Sequence, residues 1–337
     1  MLKISASPHI RHQDSTASIM RDVCIALIPA ILAAAVLFGA KAIAIISITV
    51  GSCVFFEWLS RIIMCRESTI SDYSAVATGI LLAFNLPPNI PLWMPIVGSF
   101  FAIVVCKQAF GGIGQNFINP ALGARIIMAI SFPADMNWFA YKLEHGGQAF
   151  LNSSDLVSRA TPMAEKAAEA ISSATKATNA VSSATQAVSF EPYTYWDLFL
   201  GLKPGVIGEV CILALLIGAV YLLVRKVIDL YIPLSFIATT LIFVTLAGQD
   251  PLHHLLSGGL ILGAFFMATD YVTNPETISG HIIFGIGCGL LTGLMRVYGA
   301  SAEGVSYAIV LMNVLTPHID RLTVYLPLKN KAHNHMA

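Results

Sequence analysis

Residues 23–40 read VCIALIPAILAAAVLFGA, and residues 42–64 read AIAIISITVGSCVFFEWLSRIIM. Each run is close to the roughly 20 apolar residues that a helix needs to cross the hydrocarbon core of a bilayer. The whole chain of 337 residues is 56% hydrophobic and 11% charged, whereas soluble domains carry about 25% charged residues. The sequence therefore predicts a polytopic membrane protein, and it excludes a disordered chain and an ordinary soluble enzyme.

Further apolar windows follow along the chain. Four are nearly uninterrupted, at 92–105, 206–224, 227–247 and 282–297, and four are flanked or broken by Pro, Gly or Asn, at 74–86, 121–132, 255–267 and 304–315. Broken helices survive in a membrane where protein or a cavity satisfies their backbone groups, so the interrupted windows are candidates for a central site. With the first two runs they predict an all-α protein of about ten transmembrane helices. Five helices on each side of a polar insert indicate an inverted repeat.

The charged residues predict an orientation. The 19 basic residues balance the 19 acidic ones, so no net field favours nucleic acid. Short loops on one side of the ten predicted spans collect most of the basic residues, which predicts that both termini are cytoplasmic and the insert lies outside. The expected segments are a cytoplasmic N-terminus at 1–22, a first transmembrane half at 23–133, the outer insert at 134–204, a second half at 205–317 and a cytoplasmic tail at 318–337.

The insert carries a motif for cofactor attachment. Residues 155–161 read DLVSRAT and fit the pattern D-x-x-[S/T]-x-A-T, which resembles the site where a flavin transferase links FMN through its phosphate to a threonine hydroxyl. The resemblance places the flavin on Thr161, with Asp155 and Ser158 beside it. Arg159 stands where such motifs often have glycine. Small neighbours on an irregular loop give the transferase access to the hydroxyl.

Two near-copies of this motif leave alternatives open. Thr175 and Thr185 also end a Ser-Ser-Ala-Thr sequence, with Glu169 and Asn179 where the first copy has an aspartate. Alanine, serine and threonine dominate residues 164–188, and such a biased stretch produces repeats by chance. Thr161 is the best match, and Thr185 is the main alternative because it lies closer to the next motif in the chain.

Four ordered motifs resemble one family over nearly the whole chain. They are residues 111–125, the threonine motif, residues 195–201 (YWDLFLG) with 204–209 (PGVIGE), and residues 266–270 (FMATD). Together they look like the D subunit of the Rnf complex, the ion-translocating ferredoxin:NAD oxidoreductase. The B subunit of the sodium-translocating NADH:quinone reductase is the related alternative; it is longer at its N-terminus, whereas only about 22 residues precede the first span here.

The resemblance implies a redox-driven translocase subunit that is not catalytically complete alone. It implies covalent FMN on the outer side, a possible noncovalent riboflavin within the membrane part, a bacterial or archaeal plasma membrane, and either sodium or proton transport. The sequence has no CxxC pair and no dinucleotide GxGxxG motif after a strand, so iron-sulfur and NAD-binding partner subunits are expected. A flavin transferase and membrane lipid are the other expected partners. A solute channel or carrier without redox function is the competing class, but it leaves the threonine motif unexplained.

Charged residues within apolar windows are functional candidates by default. Arg125 is expected to pair with a flavin phosphate or a carboxylate, and Glu57 and Asp270 are expected on the ion or electron path. Internal salt bridging is the alternative for Glu57 and Arg125, and Arg296 is expected to be structural. The catalytic residues remain unassigned. Cysteine and histidine spacing indicates no metal site.

Overall fold

The computed structural model describes residues 15–136, 140–142, 156–158, 194–203, 205–209, 211–298 and 304–325. In the first half, helices lie at Thr16–Phe38 (α1), Ala40–Ile63 (α2), Ser74–Phe84 (α3), Met94–Phe100 (α4), Pro120–Ser131 (α5) and Pro133–Met136 (α6). A π-helical segment, Phe101–Val105, extends α4, and single 3-10 turns lie at Ile70–Asp72 and Gln108–Phe110.

The second half follows a short helix, Tyr195–Leu200 (α7). Its helices lie at Ile212–Val224 (α8), Tyr231–Leu246 (α9), Pro251–Leu256 (α10), Leu260–Leu262 (α11), Ile278–Tyr298 (α12) and Val305–Asp320 (α13). Further π-helical segments extend α11 over Gly263–Met267 and α13 over Arg321–Tyr325. In the insert, strands β1 (Ala140–Lys142) and β2 (Leu156–Ser158) pair antiparallel, with Ala140 opposite Ser158. The secondary structure of the described residues is thus helical, apart from this short strand pair.

Three of the described helices, α1, α2 and α12, are long and apolar enough to cross a membrane. The other predicted windows contain shorter apolar helices, and window 255–267 is divided between α10 and α11. Helix α1 begins at Thr16, before the predicted start at residue 23, because Ser15 caps it by accepting a hydrogen bond from Ser18 N at 3.2 Å. Serine is a favoured residue at this position.

Window 206–224 is helical only from Ile212. The preceding residues pair instead with the end of α3: Ile207 N donates to Leu86 O at 3.1 Å and Gly208 N donates to Phe84 O at 2.9 Å. Gly208 is required there, because a Cβ atom would overlap the Phe84 ring. These bonds satisfy backbone groups of both segments in the interior, and they connect the two halves.

Apolar side chains cover much of the outside while polar ones lie within. Leu246 is 83% exposed and Val224 is 75% exposed, whereas Glu57 and Gln108 are 0% exposed. Soluble proteins rarely expose large contiguous apolar surfaces. This distribution fits a chain whose helices face lipid.

The helices of the core cross at short distances from each other. Helix α2 packs on α3, α9 on α12, and α1 on α8. At the first crossing, a Cβ atom on Gly79 would lie 2.8 Å from Val50 Cα. At the last, a Cβ atom on Gly218 would overlap Ala26 O. Small residues at such positions let helix backbones approach in a membrane, where apolar contact with lipid is equally available.

Candidate functional site

A cavity, partly open to solvent, lies between the first turns of α1, α3 and α5 and the end of α8. Its walls are mostly apolar, with Leu81 and Phe266 among them, and a few polar side chains converge on it, including Ser74, Lys107 and Asp270. Cofactor sites in proteins are concave, mainly apolar and roughly 300–1,000 Å³ in volume. The cavity is therefore a candidate site for an aromatic cofactor.

A π-helical segment positions Asp270 at the cavity. Ala268 N bonds to Gly263 O at 2.7 Å, five residues back. Such segments occur frequently at functional sites, because the extra residue re-aims the side chains that follow. The chain then turns: Asp270 O accepts from Thr273 N and Asn274 N, each at 3.2 Å. The carboxylate is half-buried, and its Oδ1 accepts from Val272 N at 3.4 Å.

The next feature is an ion pair buried behind the cavity wall. Lys107 Nζ lies 3.0 Å from Glu57 Oε2, and the two side chains are 3% and 0% exposed. Glu57 Oε1 also accepts hydrogen bonds from Thr69 Oγ1 and Gln108 Nε2, both at 2.6 Å. A carboxylate in low dielectric requires such compensation. This geometry favours the salt-bridging alternative for Glu57 over direct coordination of a cation.

Three asparagines link the two halves near the centre. Asn85 Nδ2 donates to Leu81 O at 2.7 Å and lies 3.7 Å from Met267 Sδ. Asn119 caps α5 by accepting from Ala121 N at 3.0 Å, and its Nδ2 donates to Met267 O at 3.4 Å. The Asn313 amide is oriented so that its nitrogen donates to Ile309 O and its oxygen accepts from Asn119 N, each at 3.2 Å. Sequence reasoning assigned these side chains no role, although Asn119 precedes Pro120, an arrangement typical of a helix start.

A cationic cluster surrounds the loop between α10 and α11. Lys203 Nζ donates to Leu256 O, and Arg296 NH2 donates to Ser257 O at 3.2 Å. Glu209 contacts the same loop, where a Cβ atom on Gly259 would overlap its carboxylate. Arg125, Lys203 and Arg296 all lie within electrostatic range of Glu209. Burial lowers the pKa of Lys203 from 10.5 to about 8, partly offset by the nearby carboxylate.

This cluster places charges of both signs in the interior. Among the described residues, Arg125, Lys203 and Arg296 face Glu209, and all four side chains are buried. Arg125 NH1 also donates to Ser306 Oγ at the start of α13. The cluster lies toward the opposite end of the bundle from the cavity, since α8 begins just after Glu209 and its last turn reaches the cavity about 20 Å away.

A second, more polar pocket adjoins the cavity. The two share Thr269 and Tyr271 in their walls, and the second pocket is also lined by Lys226, Glu276 and His281. It lies between the start of α9, the turn after Asp270 and the start of α12. Charged groups therefore surround the solvent side of the Asp270 turn.

The structure separates the predicted site residues. Asp270 lies at the cavity, Glu57 lies behind its wall, and Arg125 belongs to the cationic cluster. Ser158 ends strand β2. Asp155 and the three candidate threonines, Thr161, Thr175 and Thr185, lie outside the described residues. Sequence reasoning missed Lys107, Lys203 and Glu209, because each stands at the edge of an apolar window where a charge is ordinarily interfacial.

Comparison with known proteins gives consistent matches over nearly the full chain. The sequence model of the NQR2, RnfD, RnfE family matches residues 3–329. The D subunit of the Na⁺-translocating ferredoxin:NAD⁺ oxidoreductase complex of Acetobacterium woodii is 47% identical over 324 residues, which cover 96% of this chain and 93% of the relative. The D subunit of the proton-translocating ferredoxin:NAD⁺ oxidoreductase complex of Clostridium ljungdahlii is 38% identical, covering 95% of this chain and 94% of the relative.

More distant relatives have the same extent. The D subunit of the ion-translocating oxidoreductase complex of Escherichia coli is 34% identical over 343 residues, covering 96% of this chain and 97% of the relative. These matches confirm the resemblance to Rnf D subunits that the four sequence motifs predict.

Proposed function

Because this chain belongs to the NQR2, RnfD, RnfE family, we propose that it is the D subunit of a membrane-bound, ion-translocating ferredoxin:NAD⁺ oxidoreductase. Its identity with such subunits, 47% over nearly the full length of both chains, carries this proposal. The chain passes electrons within the membrane, and partner subunits oxidise ferredoxin and reduce NAD⁺. It is one part of a translocase and not a complete enzyme.

The basic residues and the packing support a proposal for the arrangement in the membrane. The proposal has ten spans in two inverted halves, with both termini in the cytoplasm and the insert outside a bacterial or archaeal plasma membrane. Matching helix pairs support the repeat: α2 packs on α4 as α9 packs on α12, and α4 packs on α5 as α12 packs on α13. The first helices of the two halves, α1 and α8, pack on each other, and so do the last, α5 and α13.

The insert carries FMN, linked through its phosphate to Thr161, with Thr185 as the alternative attachment site. The cationic cluster supports this assignment. Lys203 lies only a few residues after the insert's helix α7, and the cluster brings three buried cationic side chains together. Arginine and lysine side chains are common partners of phosphate groups. Arg125 then pairs with the FMN phosphate from within the membrane.

The cavity at the other end is proposed to hold a noncovalent flavin such as riboflavin. Its lining suits such a ligand, since Leu81, Phe265 and Phe266 offer apolar surface for the ring system. Asn116 and Asp270 offer polar atoms to ring carbonyls and ribityl hydroxyls. When bound, the flavin supplies electron transfer, while this chain's side chains bind it, orient it and exclude water.

The translocated ion is proposed to pass the Asp270 turn. A half-buried carboxylate next to freed backbone carbonyls suits a hard cation. Sodium and protons both appear in the names of the relatives. The carboxylate provides an oxygen ligand for sodium and a protonation site for protons.

Covalent flavin separates this function from that of a solute carrier without redox chemistry. The purified chain is run on a denaturing gel and viewed under ultraviolet light, where only a covalently bound flavin gives a fluorescent band. We expect a band for the unmodified protein and for Thr185→Ala, and none for Thr161→Ala. A band that persists in Thr161→Ala and disappears in Thr185→Ala would move the attachment site. The absence of a band from the unmodified protein would favour the carrier.

A further inference from the structure

A continuous chain of hydrogen bonds connects the buried ion pair with a carboxylate near the surface. Lys107 Nζ donates to Ser74 Oγ at 2.7 Å, in addition to its 3.0 Å contact with Glu57. Ser74 Oγ in turn donates to Asp72 Oδ1 at 2.5 Å. The backbone holds this arrangement, because Ser74 N also donates to Asp72 Oδ1, at 2.8 Å. Every polar atom in the series is therefore within hydrogen-bond distance of the next.

The series crosses the wall of the cavity. Lys107 and Ser74 both line the cavity, and Asp72 is half-buried at the end of the 3-10 turn that precedes α3. Glu57 is fully buried behind them. One hydroxyl thus separates a carboxylate with access to solvent from an ammonium group that faces the cavity.

Stability alone does not account for a lysine at this position. Burying a charged pair costs desolvation energy that its mutual attraction only partly offsets, and apolar residues of similar volume commonly serve stability as well or better. Charged groups within membrane segments mark ion and proton pathways. Among the described residues that line the cavity, Lys107 is the one with a cationic side chain.

We propose that Asp72, Ser74 and Lys107 form a proton path into the cavity, and that Lys107 is the proton donor to a flavin reduced there. This inference rests on the proposed noncovalent flavin site. Electrons reach the ring from the reduced carriers of the partner subunits, and the Lys107 ammonium releases one proton to a ring nitrogen. The Asp72 carboxylate takes one proton from the solvent and passes it to Ser74, and the Ser74 hydroxyl proton moves to the lysine amine. One proton leaves the solvent, one N–H bond forms on the ring, and each protein group returns to its starting state.

The surrounding charges suit this role. Glu57 on α2 holds Lys107 in place at 3.0 Å, and the second oxygen of Glu57 is held by Thr69 and Gln108. Asp72 faces the lysine through Ser74, and Asp270 faces the same cavity from the turn after α11. When Lys107 gives up a proton, the replacement therefore arrives from the Asp72 side, where the negative charge of a carboxylate attracts protons.

The path is tested in the purified complex, with riboflavin as the added probe. Fluorescence quenching measures riboflavin binding, and a pH-indicator dye in weakly buffered solution records proton uptake while reduced methyl viologen, whose oxidation releases no proton, reduces the bound flavin in a stopped-flow instrument. Ser74→Ala removes the connecting hydroxyl and keeps both the backbone bond to Asp72 and the Lys107–Glu57 pair. We expect riboflavin binding within about twofold of the unmodified complex. Proton uptake should slow by about 100-fold or more, the contribution of a positioned general acid.

Asp72→Asn provides a second variant. Its amide oxygen can still accept from Ser74 N, but it cannot supply a proton, so uptake should slow to a similar extent. Thr49→Val is the matched control, because Thr49 is a buried hydroxyl on α2 that bonds only within its own helix, to Ile45 O at 2.6 Å. Uptake in that control should be unchanged. If Ser74→Ala fails to assemble, Asp72→Asn alone decides.

Two other outcomes carry distinct meanings. Proton uptake at the unmodified rate in a riboflavin-loaded Ser74→Ala or Asp72→Asn complex overturns the path and leaves the flavin site intact. Failure of the unmodified complex to bind riboflavin overturns the proposed cavity site itself, and the path with it.

Discussion

The buried Lys107–Glu57 pair allows a stability prediction with a definite magnitude. Glu57→Gln preserves the shape of the side chain but places an amide opposite the lysine ammonium in an environment where the two native side chains are 3% and 0% exposed. The cation can still donate to Ser74 and to the amide oxygen, but the buried negative charge that balanced it is gone. Breaking one side of a buried pair costs about 3–5 kcal/mol. The folded-to-unfolded ratio should therefore fall by at least about 100-fold.

The assay is unfolding of the detergent-solubilised chain by increasing mole fraction of sodium dodecyl sulfate, followed by tryptophan fluorescence. Asp22→Asn is the matched comparison, since Asp22 also bridges two helices but its partner Arg225 is 48% exposed. That variant should lose only about 1 kcal/mol or less. The double variant Glu57→Gln with Lys107→Met removes the isolated cation, and it should recover most of the stability lost by Glu57→Gln.

Two results would refute this reasoning. A loss below about 1 kcal/mol in Glu57→Gln would mean that water reaches the pair, since solvated pairs contribute that little. A double variant less stable than Glu57→Gln would mean that the lysine stabilises the fold through contacts other than this pair. In either case the cavity wall would differ from the structure.

Three further predictions concern topology, the ion path and the cationic cluster. A cysteine introduced at Gln148 should react with a membrane-impermeant thiol reagent in intact cells, and labelling only after lysis would reverse the orientation. Asp270→Asn should assemble and keep its covalent flavin while ion-coupled electron transfer in membrane vesicles falls severalfold; unchanged coupling would make Asp270 structural. Burial lowers the pKa of Lys203 from 10.5 to about 8, so the unfolded chain binds more protons between these values and the free energy of unfolding should rise from pH 8 to pH 10. Lys203→Met should remove this rise, and an equal rise in that variant would assign it to another group.

The site was only partly predictable from the sequence. Asp270 could be identified because a carboxylate at the end of an apolar window, followed by Asn274 and Pro275, marks a broken helix. Glu57 could be identified as a charge within a span, but its partner could not. Lys107 is 50 residues away in sequence, and only the packing of α4 against α2 brings the two together.

By itself, the sequence determined the class of protein, the helical windows, the polar insert and the family, because these depend on local hydropathy and short motifs. Local hydropathy did not reveal that residues 205–209 pair with the end of α3 or that a π-helical segment precedes Asp270. These features depend on which backbone groups find partners in the folded interior. The same holds for the contacts of Lys107 with Glu57 and Ser74 and of Arg296 with Ser257: these partners stand 33 or more residues apart in the chain, and each contact forms only once neighbouring helices pack and exclude water.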